Sequence, residues 1–297
     1  MMKIPLFTIV IANYNYGRFI GDALRSVLTQ SLKDFELIVV DGASTDNSLE
    51  VVKSYAGDEL YAMQTCDGKG IHEWHVCQNL TWLSEKDQGQ SDAFNKGFTF
   101  AHGKFLTWLN ADDLFSDDAL ISIAKEIYKN PSSEWFVGST TWVDEHLRII
   151  RVFRAHRFSH LRAKYGFLSA DGPSSFFTKA LYCRAGGVDE NLHYVMDIDL
   201  WNKFYFKCSA CFRRTTNCVW IFRIHKDSKL SGADVSASQK AIENRNKARN
   251  ESKLIWHRYG KRKGMASWVC HLVTTSFWDH VITWFLNRHL VGREIRK

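Results

Sequence analysis

The sequence predicts an α/β fold: a mostly parallel mixed sheet flanked by helices, with a C-terminal helical extension. Three observations carry this reading. Short apolar, β-branched runs alternate with stretches of helical apolar spacing, the pattern of strand–helix–strand units with right-handed crossovers. Each run stops at a cluster of Asn, Asp or Gly. Past residue 230 the apolar runs cease and a polar, charge-rich stretch takes over.

The elements follow in order. Leu6–Ala12 is a buried strand ended by Asn13-Tyr14-Asn15-Tyr16-Gly17. Phe19–Leu28 carries apolar residues at 19, 20, 23, 24, 27 and 28, one face of a helix. Phe35–Val40 is a second buried strand, closed by Asp41-Gly42. Asp46 can cap a helix carrying Leu49, Val51, Val52 and Tyr55. Phe105–Leu109 is a further strand, and Ser116-Asp117-Asp118 opens a helix with acids where the dipole favours them. Ser236–Tyr259 reads as a polar helix, and Trp268–Leu290 follows with an apolar stripe. The domains expected are 1–230, an α/β body, and 231–297, a basic, aromatic helical tail.

Composition narrows the function. Hydrophobic residues at 45% and charged residues at 24% exclude a disordered chain, and 3 Pro with 18 Gly exclude a collagen-like one. The net charge of +7 is unevenly placed: residues 1–230 hold 26 basic and 27 acidic side chains, residues 231–297 hold 13 and 5. The body is therefore not a basic nucleic-acid domain, and no nucleic-acid partner is expected. The start enters a strand directly, without the long apolar core of a signal peptide. Seven Cys without framework spacing read as free thiols, so the expected location is cytoplasmic.

In parallel sheets ligands bind outside the carboxyl ends of the strands. Asn13-Tyr14-Asn15, Asp41 and Asn110-Ala111-Asp112-Asp113 would then share one edge, the candidate site. Adjacent carboxylates such as Asp112 and Asp113 repel unless a cation or donors compensate. Hard oxygens of this kind suit Mn2+ or Mg2+, usually completed by ligand phosphates. The alternative is that the pair only opens a loop.

The motif has company. Thr8–Asn15, Ile38–Asp46, Ser84–Gly97, Gly186–Glu190, Tyr194–Trp201 and Phe222–Ser228 occur in order around it. Together they resemble the family 2 glycosyltransferases, nucleotide-sugar-dependent enzymes of GT-A fold that build bacterial cell-surface glycans. The resemblance covers about residues 5–230. It implies a Rossmann-like GT-A sheet, with Ala12, Asn13, Tyr14 and Asp41 around the nucleotide base and Asp41 accepting from a base N–H. Asn110 stands where the family usually has the first Asp of Asp-x-Asp. Asp112 would be the main metal ligand, with Asp113 beside it and His225 nearby. Asp92 lies where many relatives carry a basic residue near the phosphates, and a carboxylate there suits sugar hydroxyls better.

Asp197 matches the family's catalytic base, with Asp199 as second choice; on a helix the two lie ~200° apart, so only one can face the site. The implied reaction is transfer of a sugar, from a UDP-sugar by preference, to a hydroxyl of a glycan or lipid-linked acceptor. It proceeds by metal-assisted single displacement with inversion, with His225 or Arg223 as donors to the leaving diphosphate. A different class shares the pattern: a non-catalytic nucleotide-sugar or glycan-binding scaffold that kept the fold while Asn110 replaced an Asp.

Three further features stay outside this reading. Cys66, His72, His75 and Cys77 could form a zinc site, though the spacing matches no standard pattern. Arg148, Arg151, Arg154 and Arg157 recur every third residue, either against a phosphorylated acceptor or as a solvated face. The tail, with Trp268, Phe277, Trp278, Trp284 and Phe285 beside Lys261-Arg262-Lys263, either packs on the body or makes peripheral contact with an anionic membrane.

Overall fold

The structure is a computed structural model, and it describes residues 4–164, 168, 170–229, 239–260 and 288–295. In chain order the strands are β1 (Phe7–Asn13), β2 (Phe35–Asp41), β3 (Glu59–Asp67), β4 (Gly70–Cys77), β5 (Thr81–Ser84), β6 (Phe105–Asn110), β7 (Leu114–Phe115), β8 (Trp135–Val143), β9 (Ile149–Phe153), β10 (Ser175–Thr178) and β11 (Arg213–Arg223). The helices are α1 (Gly17–Leu28), α2 (Ser48–Ala56), α3 (Gln90–Phe100), α4 (Ala119–Lys129), α5 (His160–Lys164), α6 (Lys179–Ala185), α7 (Met196–Asn202) and α8 (Gln239–Arg258). A π-helical turn, Lys203–Lys207, continues α7.

One sheet holds all these strands, in the order β3-β4-β5-β2-β1-β6-β10-β8-β11-β7, with β9 on β8. The pairings β1–β2, β1–β6, β2–β5 and β8–β11 are parallel. Because β10 is antiparallel to both β6 and β8, strands β5, β2, β1, β6, β8 and β11 all point one way. Their carboxyl ends therefore lie along one edge, as the sequence implies.

Period-2 alternation sorts the central strands onto two cores. Ile9, Ile11, Leu37 and Val39 face α1, α2 and α4, whose Ile20, Leu24, Val52, Leu120 and Ile123 complete that layer. Val10, Ile38 and Val40 face α3, α6 and α7. The second layer is aromatic: Trp201 stacks between Trp108 (5.5 Å) and Trp135 (5.2 Å). The α3 helix lies so close to β1 that a Cβ at Gly97 would stand 2.4 Å from Val10 Cγ1. Any larger residue there would push the helix off the sheet.

Asp46 does more than cap one helix. Its Oδ1 accepts from the Ser48 amide (2.9 Å) and its Oδ2 from the Gly17 amide (2.9 Å). A single carboxylate thus satisfies orphan donors at the starts of both α2 and α1.

The zinc reading is corrected. Cys66, His72, His75 and Cys77 lie on the β3–β4 hairpin, where residues three apart on a strand point to opposite faces. His72 bonds Glu85 (2.8 Å) and Asp67 (3.1 Å), while His75 bonds Glu59 (3.0 Å) and stacks on Trp82. Among the described residues no group of three or more His, Cys, Asp or Glu could hold a metal ion.

The polar helix expected at 236–259 is α8. Its Ile255 is buried in the aromatic layer, and Glu251 accepts from the amides of His193 (3.0 Å), Tyr194 (2.8 Å) and Val195 (3.2 Å). The expected boundary at 231 and the aromatic stripe from Trp268 to Phe285 lie outside the described residues. Among the described residues no helix is long and apolar enough to cross a membrane.

Candidate active site

At the carboxyl edge of the sheet a cleft of about 420 Å³ opens between the ends of β1 and β6, the start of α3, the start of α7 and the segment after β11. Ala12, Asn13, Tyr14, Asn110, Asp112 and Asp197 line it, so six of the residues singled out from sequence share one cavity.

The base-binding group divides. Tyr14 is 58% exposed at the rim, available to stack on a planar ligand. Asn13 is buried, with Nδ2 donating to Asp41 Oδ1 (2.6 Å) and Ser44 Oγ (3.1 Å), and with no partner for its buried Oδ1. Asp41 is buried behind it and takes four donors: Asn13 Nδ2, Ser44 Oγ (2.5 Å), Ser44 N (3.0 Å) and Ser84 Oγ (2.7 Å). It ties the ends of β1, β2 and β5 together, and a base N–H could reach it only by displacing one of these donors.

At the end of β6, neighbouring residues take opposite directions. Asp112 faces the cleft, and its Oδ2 lies 3.0 Å from His225 Nε2. Asp113 turns inward and is fully buried: Oδ1 accepts from the Arg223 amide (2.9 Å) and Oδ2 from Asn110 Nδ2 (2.7 Å). Burial, reinforced by the adjacent Asp112 charge, pushes the Asp113 carboxyl well above the usual carboxylate range. The expectation of Asp113 as a second ligand is therefore corrected; it clamps the turn to β11. Asn110 bridges Gln90 Nε2 (2.8 Å) to Asp113 Oδ2 (2.7 Å), accepting from the first through its oxygen and donating to the second through its nitrogen.

Two other expectations are corrected. Arg223 points away from the cleft, with Nη2 on Asp22 Oδ2 (3.0 Å) and its guanidinium over the Phe19 ring. Asp92 sits under the β3–β4 hairpin, paired with Lys69 (2.5 Å) and Lys96 (3.2 Å). Burial opposes ionisation there, yet the two lysines hold its carboxyl below the usual range. Asp92 therefore has no free oxygen for a sugar and does not line the cleft.

The two candidate bases separate as helical geometry requires. Asp197, in the first turn of α7, lines the cleft with Oδ1 on the Ile198 amide (2.8 Å). Burial, with a smaller contribution from Asp171, pushes its carboxyl up to about 6. Across from it Gly172 leaves room: a Cβ there would approach Asp197 Oδ2 to 3.5 Å. Asp199 turns to the opposite side and is fully buried, bound by Arg258 Nη1 (2.7 Å), Lys203 Nζ (2.9 Å) and the Tyr259 hydroxyl (3.0 Å). As a base it is corrected to a structural carboxylate.

The cleft also contains residues that the sequence did not single out. Asp87 is half-buried in the loop after β5, with Oδ1 on the Gly89 amide (2.9 Å), and burial lifts its carboxyl above the usual range. Its signal was position, an acid just past a strand end, but β5 has only four residues and its run is too short to read. Tyr16 packs edge-on to His225 (6.0 Å), and burial beside Asp112 and Asp113 raises its hydroxyl above its ordinary value. Gln90, Trp108, Tyr194, Trp220 and Phe222 supply the amide and aromatic walls.

Asp112 and His225 are the residues that could hold a cation. Their 3.0 Å separation is that of two cis ligands each about 2.1 Å from a shared octahedral ion. His225 Nδ1 is buried with no hydrogen-bond partner, so its ring is fixed by the Tyr16 and Phe19 rings instead. One carboxylate and one imidazole fit a divalent cation whose remaining positions come from a diphosphate and water.

Comparison with known proteins agrees with the fold. A glycosyltransferase of PGL/p-HBAD biosynthesis from Mycobacterium tuberculosis is 33% identical over 138 residues, 46% of this chain and 47% of the relative. An uncharacterized glycosyltransferase from Rickettsia prowazekii is 25% identical over 226 residues, 70% of this chain and 61% of the relative. The chain thus spans less than two thirds of the length of these curated relatives. Staphylococcus aureus TarS 1-349 in complex with UDP-GlcNAc superposes with a TM-score of 0.59 at 17% identity, over 92% of this chain and 74% of that one. The mannosyltransferase PcManGT from Pyrobaculum calidifontis, in complex with GDP-Man and Mn2+, gives 0.53 at 15% identity, over 97% and 86%. The model of the family described as Glycosyl transferase family 2 matches residues 8–178, more than half of the chain. With that match, the chain belongs to glycosyl transferase family 2, and its sheet is the GT-A fold of a glycosyltransferase.

Proposed function

We propose that the cleft transfers a sugar from a nucleotide-sugar donor, a UDP-sugar by preference, to a hydroxyl of a glycan or lipid-linked acceptor, with inversion. The observation that carries this reading is Asp197, a cleft carboxylate lifted to about 6 in the same cavity as Asp112. Asp197 takes the acceptor hydroxyl's proton, and the oxygen attacks the anomeric carbon from the face opposite the diphosphate. The bond from that carbon to the diphosphate oxygen breaks, and its electron pair leaves with the nucleoside diphosphate. A Mn2+ or Mg2+ held by Asp112 and His225 would neutralise the charge that develops on those phosphate oxygens. Tyr14 stacks on the base, Asn13 offers its unpartnered Oδ1 to a base N–H, and Asp41 keeps Asn13 in place. The nucleotide sugars bound by the structural neighbours support the donor class.

The test is Mn2+-dependent turnover of a panel of UDP- and GDP-sugars, with and without hydroxyl acceptors. Turnover with at least one donor, lost on Asp197→Asn while donor binding persists, is the expected result. Metal-independent nucleotide-sugar binding with no turnover of any donor would favour the scaffold reading instead.

A further inference from the structure

On the sheet edge opposite the cleft, at the amino ends of β8 and β11, a second cavity of about 720 Å³ opens. Lys125 and Lys129 reach it from α4, Arg157 from the segment after β9, and Arg213 and Arg214 from the start of β11. Glu126 is the only carboxylate among its lining residues. Lys129 is paired with Glu126 (2.9 Å), and Arg214 Nη1 is held by the Ala155 carbonyl. Lys125, Arg157 and Arg213 have no ion-pair partner among the described residues.

A surplus of cations on one surface can be a plain solvated face, and Lys129 in the last turn of α4 complements its dipole. Neither account covers this cavity. The arginines come from two other elements, and of the four arginines spaced by three from 148 to 157 only Arg157 lines it.

The backbone is also shaped toward the cavity. β11 pairs Arg213 with Phe136 and Arg214 with Val137, then resumes only at Cys218 with Ser139. Thr215, Thr216 and Asn217 therefore stand opposite Gly138 alone, in a bulge that takes them out of the ladder, and all three line the cavity. The bulge is pinned from beneath: Asn217 Nδ2 donates to Ser122 Oγ (2.9 Å), and Ser139 Oγ donates to the Thr216 carbonyl (3.0 Å). A concave, polar wall of hydroxyl and amide groups thus backs the guanidinium and ammonium groups.

We propose that this cavity binds a compact soluble polyanion of the di- or triphosphate class, apart from the donor site. Guanidinium groups chelate phosphate oxygens in pairs, and lysines add point charge. The lining residues carry a net charge of four positive, which matches the roughly four negative charges of a triphosphate near pH 7. The volume falls within the usual range of small-molecule sites.

The experiment is calorimetric titration of the full chain with inorganic tripolyphosphate. EDTA is included so that no cation assists phosphate binding in the cleft, and salt is kept at about 50 mM to limit screening. Saturable binding near one equivalent is expected. It should weaken at least about tenfold in the Arg157→Gln/Arg213→Gln double variant and about threefold in Lys125→Gln, an exposed change that spares the β11 bulge. An Arg148→Gln/Arg151→Gln double variant of the same arginine series should bind as the unchanged protein does. No binding, or equal weakening in both double variants, would overturn the proposal. So would binding to phosphatidylglycerol vesicles that depends on Arg157 and Arg213 without any binding of tripolyphosphate, since the site would then be a membrane surface.

Discussion

His225 Nε2 lies 3.0 Å from Asp112 Oδ2, joining the segment after β11 to the end of β6 across 113 positions of sequence. The imidazole side chain is fully buried, while the carboxylate opens to the cleft. The pair is the point where the chain can offer one oxygen and one nitrogen to the same cation. Replacing His225 by Gln should leave Asp112 able to bind Mn2+ alone and raise the concentration needed for half-maximal turnover by roughly 10–100-fold. Asp112→Asn should abolish metal-dependent turnover to within the assay limit. A Mn2+ titration of transfer rate checks both, and an unchanged half-maximal concentration in His225→Gln would remove His225 from the metal's shell.

The lifted carboxyl of Asp197 fixes a pH profile. A base must be ionised, so kcat/KM should rise with pH through about 6 and level above it. Asp197→Asn should lose that limb and about 10²–10⁴ of the rate. The same shift has a stability consequence of opposite sign. The folded value, about 6, lies above the ordinary 3.8, so between those pH values the folded state holds a proton that the unfolded chain has released. Stability is therefore lost as pH rises through that window, and at pH 8 the ionised carboxylate costs roughly 1–3 kcal/mol. Asn keeps the acceptor for the Ile198 amide and removes the charge. Thermal denaturation at pH 8 should thus show Asp197→Asn to be more stable than the parent while being catalytically dead.

Asp199, two residues away, should behave in the reverse manner. Removing its charge by Asp199→Asn leaves Lys203 without its carboxylate partner and Arg258 with Asp189 alone. A loss of roughly 1–3 kcal/mol is expected, because Arg258 is partly exposed and keeps Asp189 while Lys203 keeps the Gly187 carbonyl. The fraction that remains folded should keep a pH limb near 6, because Asp197 is untouched. Denaturant unfolding with a parallel pH–rate profile separates the two carboxylates, and a vanished limb in Asp199→Asn would make it part of the base.

What the sequence revealed, and what it did not, follows from burial and local geometry. β1, β2 and β6 are buried on both faces, so each is an unbroken apolar run whose end is visible, and Asn13, Asn110 and Asp112 were found at those ends. β7 and β10 have two and four residues, too few for any period to register. β11 is interrupted by the bulge at Thr215–Asn217, which breaks its alternation. That Asp112 faces out and Asp113 in depends on a single turn, set by an amide of β11 more than a hundred residues away. The same is true of Asp92: no local feature shows that the tip of the β3–β4 hairpin brings Lys69 onto it. The choice between Asp197 and Asp199 was legible only as a constraint, that one of them must turn away.

Glu251 links α8 to the helix that carries Asp197. Its two oxygens accept from three successive amides, His193, Tyr194 and Val195, in the segment that leads into α7. Those donors precede the first turn of the helix that carries Asp197, where a negative charge also complements the dipole. Arg258, seven residues on, holds Asp199 in the first turn of α7. α8 thus grips α7 at two points, and in the proposed mechanism its part is to fix where Asp197 stands. Glu251→Ala leaves three amides without an acceptor and should cost about 1–3 kcal/mol. It should lower kcat more than it raises KM for the donor, since the donor side of the cleft at Asn13 and Asp112 is not touched. Glu251→Gln, whose single carbonyl oxygen can still accept from the Tyr194 and Val195 amides but not from His193, should recover part of the rate. Steady-state kinetics with the donor varied measure the split, and a change confined to KM would show that α8 shapes donor binding instead of the base.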